Sequence, residues 1–263
     1  MYKTSSELKR TAKDSLAGRW GEAIKLSLVP VLISVLATLG VILMFIVLGA
    51  FGYFMYENGG GEYFDDAYAA GYDGFSPTFS YIVSPIISVV WSIITIGISF
   101  TFLDVIRRED KGPLEVKDAF RLFNGNDFVP VFLINLVMNI FIGLWSMLFL
   151  IPGIVKTYSY SQSNFIYKDL STHEDTKSMG VTSFITESRE LMNGHKGRLF
   201  WLDLTFIGWH ILAPFTLGLL YIYLIPYQAA TKAAFYEDLS KGRYLKDEEA
   251  EAVVEEDGEW TNF

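Results

Sequence analysis

Nine polar or ionisable side chains sit inside stretches that are otherwise apolar: Asn135, Asn139, Lys156, Gln162, Asn164, Asp203, His210, Gln228 and Lys232. In a bilayer such groups are costly, and they mark either a polar pathway or a contact between helices. Asn135 and Asn139 are four residues apart and share a helix face. With Gln162 and Asn164 they could line a water-accessible path, or they could be consumed in hydrogen bonds across helices. Asp203 and Lys232 fall at matching depths from one side, counted at about 1.5 Å per residue, which predicts an ion pair. Lys156 and His210 fall at comparable depth from the other side, where a lysine would lower the imidazole pKa. For these four groups, pairing or snorkelling is a simpler expectation than transport.

A second pattern is the four-residue spacing of Ser84, Ser88 and Ser92, continued by Thr95 and Ser99. Small residues at that spacing form a groove for another helix. A pore lining is the sharper alternative, but hydroxyls readily bond back to their own helix carbonyls, so packing is favoured. Enzyme chemistry finds little footing. There is no Gly-x-Ser-x-Gly and no His-Glu-x-x-His. The chain has no cysteine, which removes disulfides, thiol catalysis and thiolate metal sites. His173, His195 and His210 are too scattered to share a metal. Asp65, Asp66 and Asp73 lack the regular oxygen spacing of a calcium loop. The expectation is a protein that is not an enzyme and needs no cofactor or metal.

The elements that must position these residues are helices. The chain is 51% hydrophobic and only 19% charged over 263 residues, which points to the membrane class. Apolar runs predict six transmembrane helices, at about 24–54, 81–106, 128–150, 152–167, 199–214 and 219–239. The fold class is therefore all-α and polytopic, with three hairpins, each preceded by a cytoplasmic amphipathic helix. The spans over 152–167 and 199–214 are shorter than a comfortable crossing. The first surface helix covers 3–20, with Thr4 and Glu7 as a capping box and Leu8, Ala12 and Leu16 on one face. It suits either anionic lipid at the cytoplasmic face or packing on the protein itself. Twenty of the 21 Lys and Arg fall on the side of the N-terminus, so both termini are expected in the cytoplasm of a cell-membrane protein. Residues 1–245 form the membrane domain. The tail 246–263 is acidic and expected to be disordered. The tail and an acidic loop over 57–79 account for the net charge of −9, and no uncommitted basic stripe remains for nucleic acid.

The hairpins read as repeats. Gly18, Gly125 and Gly194 each close a surface helix. Gly125 to Asp169 and Gly194 to Asp238 are equal intervals of 44 residues, both containing Leu-Ile-Pro. They end as Tyr167-Lys168-Asp169-Leu170-Ser171 and Tyr236-Glu237-Asp238-Leu239-Ser240, and the first unit ends at Leu103-Asp104-Val105. The stretches from Glu7-Leu8-Lys9 to Gly21, Leu150-Ile151-Pro152-Gly153-Ile154, Glu190 to Lys196, and Ala234 to Leu239 carry a resemblance. On them the chain resembles an uncharacterised bacterial membrane family, domain of unknown function 975. The resemblance implies an integral cell-membrane protein and carries over no catalytic residue. Two functions stay open: a non-enzymatic envelope component that organises a membrane-protein partner or a homo-oligomer, and a small transporter with a polar path between the third and fourth spans.

Overall fold

The computed structural model describes residues 2–57, 77–107, 112–173, 176 and 179–245, with the backbone alone for 77–88. The acidic loop, the tail, and the side chains of Ser84 and Ser88 lie outside the described residues. Those residues form helices and no strand: α1 (Ser5–Ser15), α2 (Trp20–Leu26), α3 (Leu28–Glu57), α4 (Pro77–Arg107), a 3-10 turn (Val116–Phe120), α5 (Phe128–Leu148), α6 (Leu150–Tyr160), α7 (Ser163–Leu170), α8 (Val181–Leu191), α9 (Lys196–Leu212), a 3-10 turn (Pro214–Thr216) and α10 (Tyr221–Ser240).

Among the described residues three helices are long and apolar enough to cross a membrane, not the six expected: Leu28–Glu57, Val89–Arg107 and Phe128–Leu148. The reasons differ at each failure. The segment 152–167 is broken at Ser161-Gln162 into α6 and α7, of 11 and 8 residues. Helix α9 has 17 residues, short of the roughly 20 that span a hydrocarbon core. Helix α10 has 20, but it carries Gln228, Lys232, Glu237 and Asp238 and is largely buried in protein.

The amphipathic helices follow expectation in part. Thr4 and Glu7 form the capping box, with the Glu7 amide donating to Thr4 Oγ1 at 3.3 Å and the Thr4 amide to Glu7 Oε2 at 2.6 Å. Of the two places open to the apolar face of α1, it takes the one on the protein: Leu8, Ala12 and Leu16 join the core beside α10. The second surface helix is only a five-residue 3-10 turn. Gly18 and Gly194 adopt the left-handed conformation at φ 76° and 79°, and Gly125 does not.

The core sits at one end of the molecule. It gathers the last turns of α4 (Ile98, Phe102, Leu103), the faces of α1, α7 and α8, the first half of α9, and most of α10 (Leu224, Ala230, Phe235, Tyr236). Aromatic stacking ties these parts together, with Phe165 on Tyr236 at 4.9 Å and Trp20 on Tyr223 at 4.6 Å. Away from this body α3 stands nearly bare.

Candidate functional site

The intramembrane candidates separate into small local contacts. The Asn135 side-chain amide donates to the Val131 carbonyl at 2.7 Å and to Asn164 Oδ1 at 3.2 Å, and Asn164 returns a 3.4 Å bond. Asn139 donates to the Asn135 carbonyl at 2.8 Å. Gln162 sits at the break between α6 and α7, where Ser188 of α8 stands in for the lost helix bond. Ser188 Oγ accepts from the Gln162 amide at 3.1 Å and donates to the Ser159 carbonyl at 2.9 Å. Irregular backbone in such a segment is tolerated where protein encloses it, and here it is enclosed.

Asp203 and Lys232 do pair, at 3.1 Å, as their depths predict. Lys156 and His210 do not meet. The Lys156 ammonium lies 4.5 Å from the Trp145 ring centre, and His210 Nδ1 lies 3.4 Å from the Tyr221 hydroxyl. Gln228 is half-buried on α10. Thr95 and Ser99 donate to the carbonyls of Trp91 and Thr95 on their own helix, and Ser92 is half-buried. The closest backbone approach on α4 is at Gly97, where an added Cβ would lie 2.6 Å from the Ala119 carbonyl oxygen. Only glycine gives the 3-10 turn that much room.

The densest electrostatic feature is one that the apolar periodicity does not reveal. It is built on Asp104, Asp169 and Asp238. Arg107, at the end of α4, forms a two-pronged contact with Asp169 at 2.7 and 3.0 Å. Its Nε donates to Glu237 at 2.5 Å, and the Tyr236 hydroxyl donates to Asp169 at 2.6 Å. Asp169 is 1% exposed. Asp104 takes Lys168 at 2.5 Å and Arg121 at 2.6 Å. Asp238 takes Arg198 at 2.6 Å and the Lys3 amide at 3.0 Å, so it also anchors the start of the chain. Tyr167 donates to Asp127 at 2.9 Å. The equal 44-residue intervals place Asp169 and Asp238, but their arginine partners come from unequal positions.

Chemically this layer is closed. Asp169 accepts three charge-assisted bonds, which leaves it little capacity to take a proton or a cation. Among the described residues no group of three or more His, Asp or Glu could hold a metal. Outside the candidate spans, Glu22 is held below the ordinary carboxylate range, first by the Leu114 amide and then by Arg19. His195 is pushed below the ordinary imidazole value by burial, reinforced by Arg198 and opposed by Asp238. An open groove of about 410 Å³ is lined by Tyr2, Lys3, Leu8, Arg198 and Trp201, and by none of the intramembrane amides.

No curated protein and no solved structure matches the chain. One family does match, over residues 1–170 and again over 150–243, which together cover nearly all of the described sequence. The chain belongs to the family described as Protein of unknown function (DUF975).

Proposed function

We propose that this is a non-enzymatic, multi-pass component of the cell membrane, with both termini in the cytoplasm, in which the broken pair α6–α7 carries the chain back after α5 to the Asp104–Arg107 end of α4, and that it holds a second membrane protein or a further copy of itself through α3. The observation that carries this reading is how little of α3 the protein itself covers. Only 6% of its most apolar stretch is buried, against 50% for α4. Gly40, Gly49 and Gly52 lie on it with no other described part of the chain within 4 Å of where a Cβ would stand. Glycine weakens an isolated helix by about 1 kcal/mol each relative to alanine. In membrane helices it serves to let another backbone come close. A helix that faced only lipid would gain nothing from three of them.

The alternative, a polar path beside α5 and α7, draws no support from the amides. Asn135 and Asn164 bond each other, and Asn139 bonds its own helix. The test is purification in a mild detergent with identification of bound protein, comparing the natural chain with Gly49→Leu and Gly52→Leu, which share a face of α3. Loss of a stoichiometric partner, or of self-association, in both variants is expected. A chain that is monomeric and partner-free in native-lipid nanodiscs would refute the organiser reading. Labelling of Asn139→Cys and Gln162→Cys by an impermeant reagent would favour the path instead.

A further inference from the structure

The hairpin of α9 and α10 carries large apolar side chains at its turn, yet a charged helix runs along its lower half. Three heights can be read off. At the base, the Lys3 amide donates to Asp238 at 3.0 Å. Further up, Lys9 Nζ reaches the Thr205 carbonyl at 3.4 Å and lies 4.3 Å from the Phe206 ring centre. Higher still, Lys13 lies 5.4 Å from the Tyr227 ring centre. So α1 climbs beside the hairpin from Asp238 to Tyr227. Its outer side carries Arg10 and Asp14, 82% and 71% exposed. Such a helix cannot be sunk in hydrocarbon. The hairpin up to Phe206 and Tyr227 must therefore lie outside it too, and the Asp203–Lys232 pair falls within that polar zone.

What remains above is short. Phe206 to Pro214 is eight residues, or about 12 Å of helix, well under half of the roughly 30 Å core. The turn also has a fixed height on α3. Gly218, at φ 82°, sits so close that an added Cβ would lie 3.1 Å from Val35 Cα and 3.2 Å from Thr38 Cβ. Thr38 is ten residues from the start of α3, and α3 continues for about 28 Å beyond it. The turn thus stops far below the end of a helix that would cross.

The turn itself is made for a dry environment. Phe215 is 83% exposed, and Leu217 and Leu219 are exposed beside it. Yet every amide from Thr216 to Ile222 is bonded within the turn: 216 and 218 to the Ala213 carbonyl, 217 to Pro214, 219 to Thr216, 220 to Thr216 Oγ1, 221 to Gly218 and 222 to Leu219. Hydrocarbon demands that internal satisfaction and water does not.

We propose that the α9–α10 hairpin enters the bilayer from the side of α1 and turns back within it, so that Phe215, Leu217 and Leu219 form an interaction surface for the acyl chains of that one leaflet. This rests on the reading that α3 crosses a bilayer, and the test separates the two. The full chain is placed in proteoliposomes, and its lack of cysteine gives single-cysteine variants a clean background. Thr216→Cys and Leu219→Cys report on the turn, Asp66→Cys on the segment after α3, and Lys241→Cys on the base. Either turn variant suffices if the other fails to fold. A membrane-impermeant maleimide is applied from each side. A fluorophore at the same cysteines is then quenched by lipids spin-labelled at the headgroup or in the chain.

Asp66→Cys and Lys241→Cys should react from opposite sides. The turn cysteines should react at least about ten-fold more slowly from both, and chain-labelled lipid should quench them more than headgroup-labelled lipid. Reaction of the turn from the Asp66 side would mean a full crossing and would overturn the proposal. So would reaction from the Lys241 side, or protection without lipid quenching, which would put protein over the turn. If Asp66→Cys and Lys241→Cys react from the same side, it is the crossing of α3 that fails.

Discussion

Asp169→Asn removes one negative charge from the point where Arg107, Tyr236 and Glu237 meet. The native carboxylate accepts two bonds from Arg107 and one from Tyr236, and it is 1% exposed. An asparagine keeps one oxygen and turns an NH₂ toward donors that need an acceptor. Breaking a buried pair by removing one partner costs about 3–5 kcal/mol. Arg107 still has Glu237 at 2.5 Å, so the lower end, about 3 kcal/mol, is expected. That is roughly a hundred-fold in the folding equilibrium. Arg107→Met should cost more, because it leaves Asp169 and Glu237 side by side without their shared cation. Arg10→Ala, at an exposed pair, should cost less than about 0.5 kcal/mol and serves as the control. Unfolding in mixed micelles of a mild detergent and sodium dodecyl sulfate, followed by tryptophan fluorescence, measures all three. The reasoning fails if Asp169→Asn is indistinguishable from Arg10→Ala, or if Arg107→Met is the milder of the two buried changes.

Three further outcomes follow from single contacts. Gly97→Ala forces the Ala119 carbonyl away from α4 and should lower stability by about 1–3 kcal/mol, whereas Gly143→Ala, with open space around it, should be neutral or stabilising; the same micelle titration compares them. Ser188→Ala orphans the Gln162 amide and the Ser159 carbonyl at a buried helix break, for about 1–3 kcal/mol, and faster proteolysis near Ser161 would show it. His195 has its pKa lowered in the fold, so its neutral form is the favoured one. Stability should be full above the ordinary imidazole value of about 6.5 and decline as pH falls toward the lowered value. His195→Gln should flatten that part of a melting-against-pH profile, and an unchanged slope would remove His195 from the account.

The sequence was readable where a feature is local. Thr4 and Glu7 announce their capping box by spacing alone, and the depths of Asp203 and Lys232 suffice to pair them. Asn135 and Asn164 were narrowed to two roles, and they take the contact role in the fold. The count of spans was not readable, for a physical reason. Hydropathy reports what a helix tolerates, not what lies beside it. Helix α10 carries Glu237 and Asp238 because Arg107 and Arg198 meet them in the protein, and a window over 219–239 cannot see either arginine. Gly97 was passed over for the same reason. A serine stripe is visible in one segment, whereas a notch for the Ala119 carbonyl exists only once two distant segments meet.

Asp104, Asp169 and Asp238 end stretches of similar sequence, but each reaches into a different neighbour. Asp104 takes Lys168 from the second unit. Asp169 takes Arg107 from the first unit and Tyr236 from the third. Asp238 takes Arg198 and the Lys3 amide, which returns the third unit to the start of the chain. Apolar faces of similar helices can slide or exchange at little cost, because one leucine fits much like another. Directional, buried charge pairs cannot, since a wrong register leaves an ion without its counterpart. Among several apolar helices of similar composition, that distinction favours one arrangement. It also accounts for where the ions stand, at the shared end of α4, α7 and α10.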